Sequence, residues 1–350
     1  MERVLILFPG NHLGNLLIAL PHIQAMLDRY PGALLVANAL YRDVVLAALG
    51  QGASVLYYPA PALAPSRPLW QRFLVWLAFV RALRAFRAER CIDLEGEQKS
   101  ATLAWLSGAP QRDGPRRRRG RWFYTRQHSG ALPGQHRWHG YAALSDPPAA
   151  RAGQGVSLTC PAGAVPALQE HLARWGVHSG MPCVVIHPGA SKLYKMWPAQ
   201  RFASLCVQLR DLGLIPVLIG AGGRDRVQIE RIRAHMAQPV VSLCDQISLA
   251  ELMVLLSHCR GFIGNDSGPM HLAAACGAPV VALFGPTDER LWRPLSQQAC
   301  VLRHRACDAR CGRHACAAPD YPCLRGITPD QVLAALAGLG VIRPPVASGY

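Results

Sequence analysis

Acidic side chains are scarce in this chain: 21 aspartates and glutamates stand against 37 lysines and arginines, a formal charge of +16 over 350 residues. That imbalance directs attention to anionic partners, whether phosphorylated substrates, nucleic acid or an acidic membrane surface, without choosing among them. Charge of either sign is sparse at 17%, while 51% of residues are hydrophobic, which excludes disorder for the bulk of the chain. The length favours two domains. Long uncharged apolar runs are missing, so no spanning helix is expected. No secretory signal is expected at the start, because Val4-Leu5-Ile6-Leu7-Phe8 is cut short by Pro9-Gly10 and no cleavage site follows. A cytoplasmic location is the expectation, and there the 12 cysteines are read as free thiols or metal ligands rather than disulfides. There is no internal sequence repeat, and no low-complexity tract beyond an arginine run.

What is present is a strand–helix alternation. Residues 4–8 read as a buried strand, 9–15 as its loop and 16–30 as a helix; 34–37, 43–49 and 55–58 continue the pattern. Residues 70–90 form a long expected helix carrying Arg72, Arg81, Arg84, Arg87 and Arg90, and 91–94 a short strand. A strongly basic segment, Arg112, Arg116 to Arg119, Arg121 and Arg126, is opposed only by Asp113. After a Pro-, Ala- and Gly-rich stretch at 145–155 the alternation restarts with a helix at 165–175. Strand-like runs follow at 181–186, 215–219, 240–243, 261–263 and 280–284. Two doubly wound α/β domains in series are expected, 1–155 and 156–336, with a tail at 337–350. Ligands of such sheets bind beyond the carboxyl ends of the strands.

The strongest local signal is Gly264-Asn265-Asp266-Ser267-Gly268-Pro269-Met270-His271, where a strand runs into a helix head. First-turn amides and the helix dipole suit a diphosphate there. The alternative is a plain capped turn, with Asp266 or Ser267 as the cap. His271 falls on the same helix face as Ser267. A second signal, His187-Pro188-Gly189-Ala190-Ser191-Lys192-Leu193-Tyr194-Lys195, supplies small residues, a hydroxyl and two lysines after another strand. It lacks the Gly-Lys-Ser/Thr ending of a P-loop. A third, Gly220-Ala221-Gly222-Gly223-Arg224-Asp225, offers Asp225 to a ribose hydroxyl.

Taken in order with Phe284-Gly285-Pro286-Thr287-Asp288, these motifs resemble glycosyltransferase family 9, the lipopolysaccharide heptosyltransferases. Leu13-Gly14-Asn15, Asp93-Leu94-Glu95-Gly96…Lys99-Ser100 and Ile327-Thr328-Pro329…Val332 fit the same family. The resemblance implies a GT-B fold, two Rossmann-like domains facing across a cleft. It implies inverting, metal-independent transfer from an ADP-heptose-type donor to an anionic lipopolysaccharide-core acceptor. Ser191 and Lys195 would contact donor phosphates; Asp266, Ser267, Gly268 and His271 would line the diphosphate and sugar; Asp225 would meet the nucleoside. Lys99 and Arg126 would meet the acceptor's charge.

One departure concerns catalysis. The family places an aspartate, taken as the base, where this chain has Asn15, and an amide cannot accept the proton. Either another group serves, His12 being the nearest titratable one in sequence, or Asn15 only orients the hydroxyl, or transfer is lost and binding kept. A binding relative, or a GT-B enzyme with a different sugar nucleotide, is the alternative function. Cys307, Cys311, Cys316 and Cys323 could hold a structural zinc or iron, although no CxxC pair is present. Catalysis itself is expected to need no cofactor. The 70–90 helix is either core-facing with solvated arginines or a peripheral contact with the inner membrane. No nucleic-acid recognition motif accompanies the charge.

Overall fold

The structure, a computed structural model, describes residues 2–116, 121–145, 154–304 and 321–343. The chain divides into two compact units, Met1–Leu158 and Thr159–Tyr350.

In the first unit six parallel strands, β1 (Val4–Phe8), β2 (Leu34–Asn38), β3 (Val55–Tyr58), β4 (Arg90–Asp93), β5 (Gln111–Pro115) and β6 (Arg126–His128), lie in the order β3-β2-β1-β4-β5-β6. The second unit holds β7 (Cys183–His187), β8 (Ile215–Leu218), β9 (Val241–Ser242), β10 (Gly261–Asn265), β11 (Val280–Leu283) and β12 (Ala299–Leu302). These too are parallel, in the order β12-β11-β10-β7-β8-β9. Counted from its own first strand, each sheet has the same doubly wound order. The order reverses between β1 and β4 in one unit and between β7 and β10 in the other, and the crevice beyond that reversal is where such sheets take ligands.

The central strands follow from their sequences. Val4–Phe8, Cys183–His187 and Val280–Leu283 are buried along their whole length, as strands covered by helices on both faces must be. The helix Leu13–Arg29 buries Leu16, Leu17, Leu20, Ile23 and Met26 at helical spacing and runs on through Pro21. In the second unit Trp197 is fully buried, packed edge-on against Phe202 within the core formed by Val184, Ile186, Leu218, Ile263 and Leu324.

Several elements differ from the sequence expectation. The first helix begins at Leu13, so Gly14 and Asn15 stand in its first turn and not in the preceding loop. The helix expected to reach residue 90 is Leu69–Ala85, and Arg87 follows it at φ 50°. Arg90 instead opens β4 and donates to Asp113 at 2.7 Å. Strands β5, β6 and β12 were not expected. The polar sequence of β5 and β6 hides a buried carboxylate: Asp113 accepts from Arg90 and lies 3.1 Å from His128 and 3.9 Å from Arg126. Of the arginine run, Arg117, Arg118 and Arg119 lie outside the described residues. Cys307, Cys311 and Cys316 lie outside the described residues. Cys323, in the helix Pro322–Arg325, is buried against the second core. Among the described residues no three His, Cys, Asp or Glu side chains gather into a metal site.

Candidate functional site

In the second unit the site is built from the ends of β7 and β10. Asn265, the fully buried last residue of β10, donates from Nδ2 to the carbonyls of Pro188 and Gly189 at 2.8 and 3.2 Å. Its Oδ1 accepts from the Trp197 amide at 3.0 Å. One carboxamide thus fixes both ends of the loop after β7. The Trp197 indole adds a bond to the Ile327 carbonyl at 3.0 Å, and Gln228 Nε2 donates to the Trp197 carbonyl at 3.1 Å. Between these anchors Lys195 reaches back, and its Nζ donates to Asp266 Oδ2 at 2.7 Å. Ser191 is exposed on the same loop, its carbonyl accepting from Arg224 at 2.6 Å.

Ser267 occupies the N-cap of the helix Gly268–Ala275, yet its side chain caps no amide. Its hydroxyl lies 3.0 Å from His187 Nδ1, and His187 Nε2 lies 3.2 Å from Asp225 Oδ2. A carboxylate only accepts, so Nε2–H donates to Asp225 and a neutral ring's Nδ1 accepts the Ser267 proton. Burial would raise the Asp225 carboxyl, but His187, the Ala221 amide and Arg224 outweigh it and hold the group below its ordinary range. The capped turn is therefore not what forms. The helix head keeps its first-turn amides clear of side-chain caps, which is the arrangement an anion needs. Gly268 opens that helix, and His271 is buried one turn in.

The glycines here serve a neighbour as much as any ligand. A Cβ on Gly189 would lie 2.0 Å from Asp225 Oδ1, and one on Gly220 2.7 Å from the Asp225 Cβ. Asp225, expected as a nucleoside contact, is engaged with His187 and the Ala221 amide. A cavity of about 940 Å³ in this unit lies elsewhere, between the helices Val165–Ala173 and Leu249–His258 at the amino ends of the strands.

In the first unit the corresponding crevice lies beyond β1 and β4. Asn38, at the end of β2, donates to the Pro9 and Gly10 carbonyls at 3.2 and 3.0 Å and to Asn11 Oδ1 at 2.7 Å. Lys99 Nζ donates to the Pro9 carbonyl at 2.7 Å and sits 4.8 Å from the Tyr58 ring centre. Burial lowers the Lys99 ammonium against the opposing pull of Glu95 and Glu97. Arg126 is exposed at the edge strand β6, two strands from β4, so the sheet does not bring it to the side of Lys99. His12 is the exposed N-cap residue of the first helix, and its side chain makes no cap bond; Asn15 is half-buried in the first turn.

Sequence reasoning assigned no role to Asn38, Asn265, His187 or Glu95. Asp93 is fully buried, accepting from Tyr124 at 2.6 Å and from the amides of Glu95 and Gly96. Glu95 is only 5% exposed. Burial, then Asp93 and Glu97, push its carboxyl up to about 8 against Lys99 and the Gly10 amide. The available signal was three carboxylates at alternate positions, Asp93, Glu95 and Glu97, starting at the last residue of a buried strand.

Comparison with known proteins gives a consistent result. The family described as glycosyltransferase family 9 (heptosyltransferase) matches residues 76–321. Lipopolysaccharide heptosyltransferase 3 of Escherichia coli is 35% identical over 135 residues, 37% of this chain and 40% of that protein. Lipooligosaccharide heptosyltransferase 2 of Haemophilus ducreyi is 34% identical over 167 residues, 43% and 46% of the two. The match spans less than half the length of each. Among solved structures, a glycosyl transferase family 9 protein from Veillonella parvula superimposes with a TM-score of 0.79 at 20% identity, over 97% of both chains. The E. coli ADP-heptose LPS heptosyltransferase II does so at 0.74 and 23%, over 97% and 98%. These structures carry the same GT-B fold.

Proposed function

The chain belongs to glycosyltransferase family 9, and on that premise we propose that it is an inverting glycosyltransferase moving a heptose-type sugar from ADP-heptose to a lipopolysaccharide-core acceptor. The observation that carries this reading is the anion-ready cluster beyond β7 and β10: Lys195 against Asp266, and a helix head whose N-cap hydroxyl is turned to His187. Transfer forms a bond from the acceptor oxygen to the anomeric carbon while the bond to the β-phosphate breaks. Negative charge then grows on the departing diphosphate. Lys195 and the first-turn amides of Gly268–Ala275 are fixed beforehand to meet it, and preorganised donors of this kind are commonly the largest part of such catalysis. With that charge met by protein groups, the reaction needs no metal. Ser191, Asp225 and His271 complete the donor contacts, and Lys99 meets the anionic acceptor, with Arg126 available only to a part of the acceptor that reaches the sheet edge.

A lipid-linked acceptor brings the first unit to a membrane surface. Leu69, Trp70, Phe73, Trp105 and Trp122 are each between 57% and 77% exposed, with Arg67 and Arg72 beside the first three in sequence. The helix Leu69–Ala85 touches the helix Gln98–Leu106, which touches the turn Arg121–Phe123, so these aromatics share one side of the sheet. Exposed apolar rings with neighbouring arginines suit an anionic interface. No helix among the described residues is long and apolar enough to cross a membrane. The proposed location is peripheral, on the cytoplasmic face of the inner membrane.

Asn15 favours one second reading, a relative that binds donor and acceptor but has lost turnover. ADP release from ADP-heptose, measured with purified protein and a heptose-deficient lipopolysaccharide acceptor, separates the two. Acceptor-dependent release supports transfer. Thermal stabilisation by ADP-heptose without release supports the binding relative. Stabilisation by GDP- or UDP-sugars alone refutes the donor.

A further inference from the structure

We propose that Glu95 takes the proton from the acceptor hydroxyl, replacing the carboxylate that the Asn15 position lacks. This rests on the transferase reading above. Strands β1 and β4 are neighbours at the reversal of the first sheet, with Leu7 paired to Asp93. Gly10 and Glu95 therefore emerge side by side from the two central strand ends. A Cβ on Gly10 would lie 1.6 Å from Glu95 Oε1. The Glu95 carboxylate thus lies against the backbone of the very loop that leads into His12 and Asn15. It lies beyond the carboxyl ends of the two strands at the reversal of the sheet, the side on which this fold class takes ligands.

The surroundings suit a proton acceptor. Facing Glu95 are Asp93 at the end of β4, Glu97 and Lys99 at the head of the following helix, the Gly10 amide from the β1 loop, and, by their electrostatic influence, Tyr41 and Tyr141. Two carboxylates and burial make its conjugate acid weaker, and hence the carboxylate a stronger base, than an ordinary glutamate. A base is most effective when its pKa lies near the working pH. In the step, the acceptor oxygen bonds to the anomeric carbon, and the electron pair of the breaking carbon–oxygen bond leaves on the diphosphate. The hydroxyl proton passes to Glu95, leaving a neutral carboxyl that later loses the proton to water.

The test measures transfer from ADP-heptose by wild type, Glu95→Gln, Asn15→Asp/Glu95→Gln and His12→Ala, with ADP affinity followed for each. Glu95→Gln is expected to lower kcat by about 100-fold or more, with ADP affinity unchanged. Wild-type kcat should rise with pH through about 8, and the rise should vanish in Glu95→Gln. Asn15→Asp in that background should restore turnover, with its pH limb moved down to the ordinary carboxylate range. Glu95→Gln turning over within about 3-fold of wild type overturns the assignment. So does a loss that Asn15→Asp does not recover, or a His12→Ala loss that carries away the pH limb. If wild type itself transfers nothing, it is the transferase reading that fails.

Discussion

Replacing Gly189 by alanine tests the architecture of the donor site at one atom. The new Cβ would stand 2.0 Å from Asp225 Oδ1 and 2.5 Å from its Cγ, far inside any real contact. The backbone cannot retreat cheaply, because Asn265 holds the carbonyls of Pro188 and Gly189. The carboxylate must give instead. A shift of about 1 Å takes Oδ2 out of hydrogen-bond range of His187, now 3.2 Å away, and of the Ala221 amide at 3.0 Å. Bonds to a charged acceptor contribute about 1.5–3 kcal/mol each, and relaxation recovers part, so a loss of about 2–4 kcal/mol is expected. Gly189 has no positive φ, so the cost is steric and not conformational.

That distinction supplies the control. In an Asp225→Ala background the clash is gone, and Gly189→Ala should cost less than about 1 kcal/mol. Guanidinium unfolding of the four proteins gives the coupling energy, and ADP titration reports whether Ser267 and His187 have moved with Asp225. A Gly189→Ala protein within about 0.5 kcal/mol of wild type, or an equal cost in both backgrounds, would refute the reasoning.

Two further outcomes follow from the first unit. Glu95 has a folded pKa of about 8 against an ordinary 4.5, so the folded state binds the extra proton between those values. The stability it contributes is complete below pH 4.5 and is lost as pH rises through 8. Glu95→Gln should therefore gain on wild type as pH goes from 5 to 9, by up to about 4 kcal/mol in denaturant melts; a pH-independent difference would contradict the burial argument. On the exposed face, Trp70→Ser/Phe73→Ser/Trp122→Ser should weaken sedimentation with anionic vesicles by about 10-fold or more, and salt should weaken the wild type as well. Equal binding by the triple variant removes this face as the membrane contact.

The central strands were legible because a strand covered on both faces must be apolar throughout, and Val4–Phe8 and Cys183–His187 admit no other reading. Strands β5 and β6 were not, since Gln111–Pro115 and Arg126–His128 are polar and carry no apolar alternation, and only the fold brings Arg90 to the buried Asp113. Within the site, residue types were legible and partners were not. Lys195 and Asp266 read as phosphate-site residues, but their 2.7 Å bond joins positions 71 apart in sequence. Ser267 fits an N-cap by type and position, and only His187, brought beside it by the pairing of β7 with β10, turns its hydroxyl away. Asn38 and Asn265 look like turn formers because nothing local says that the carboxamide is buried.

The two units also share a device that no sequence repeat announced. Each first strand ends in Pro-Gly, Pro9-Gly10 after β1 and Pro188-Gly189 after β7, and in each a buried asparagine carboxamide holds both carbonyls. In each the glycine makes room for a carboxylate, Glu95 in the first unit and Asp225 in the second. The electrostatics then diverge. Asp225 faces His187 and the Ala221 amide and is held ionised, a fixed anion that orients the ring which in turn orients Ser267. Glu95 faces Asp93 and Glu97 and is pushed up to about 8, so its proton comes and goes near neutral pH. A group that must not change charge suits the unit assigned to the donor, where the developing diphosphate needs a constant field. A group that must change charge suits the unit assigned to the acceptor, whose hydroxyl has a proton to lose. The same backbone device thus serves orientation in one unit and proton transfer in the other, and the choice is made by whether histidine or carboxylate stands beside the acid.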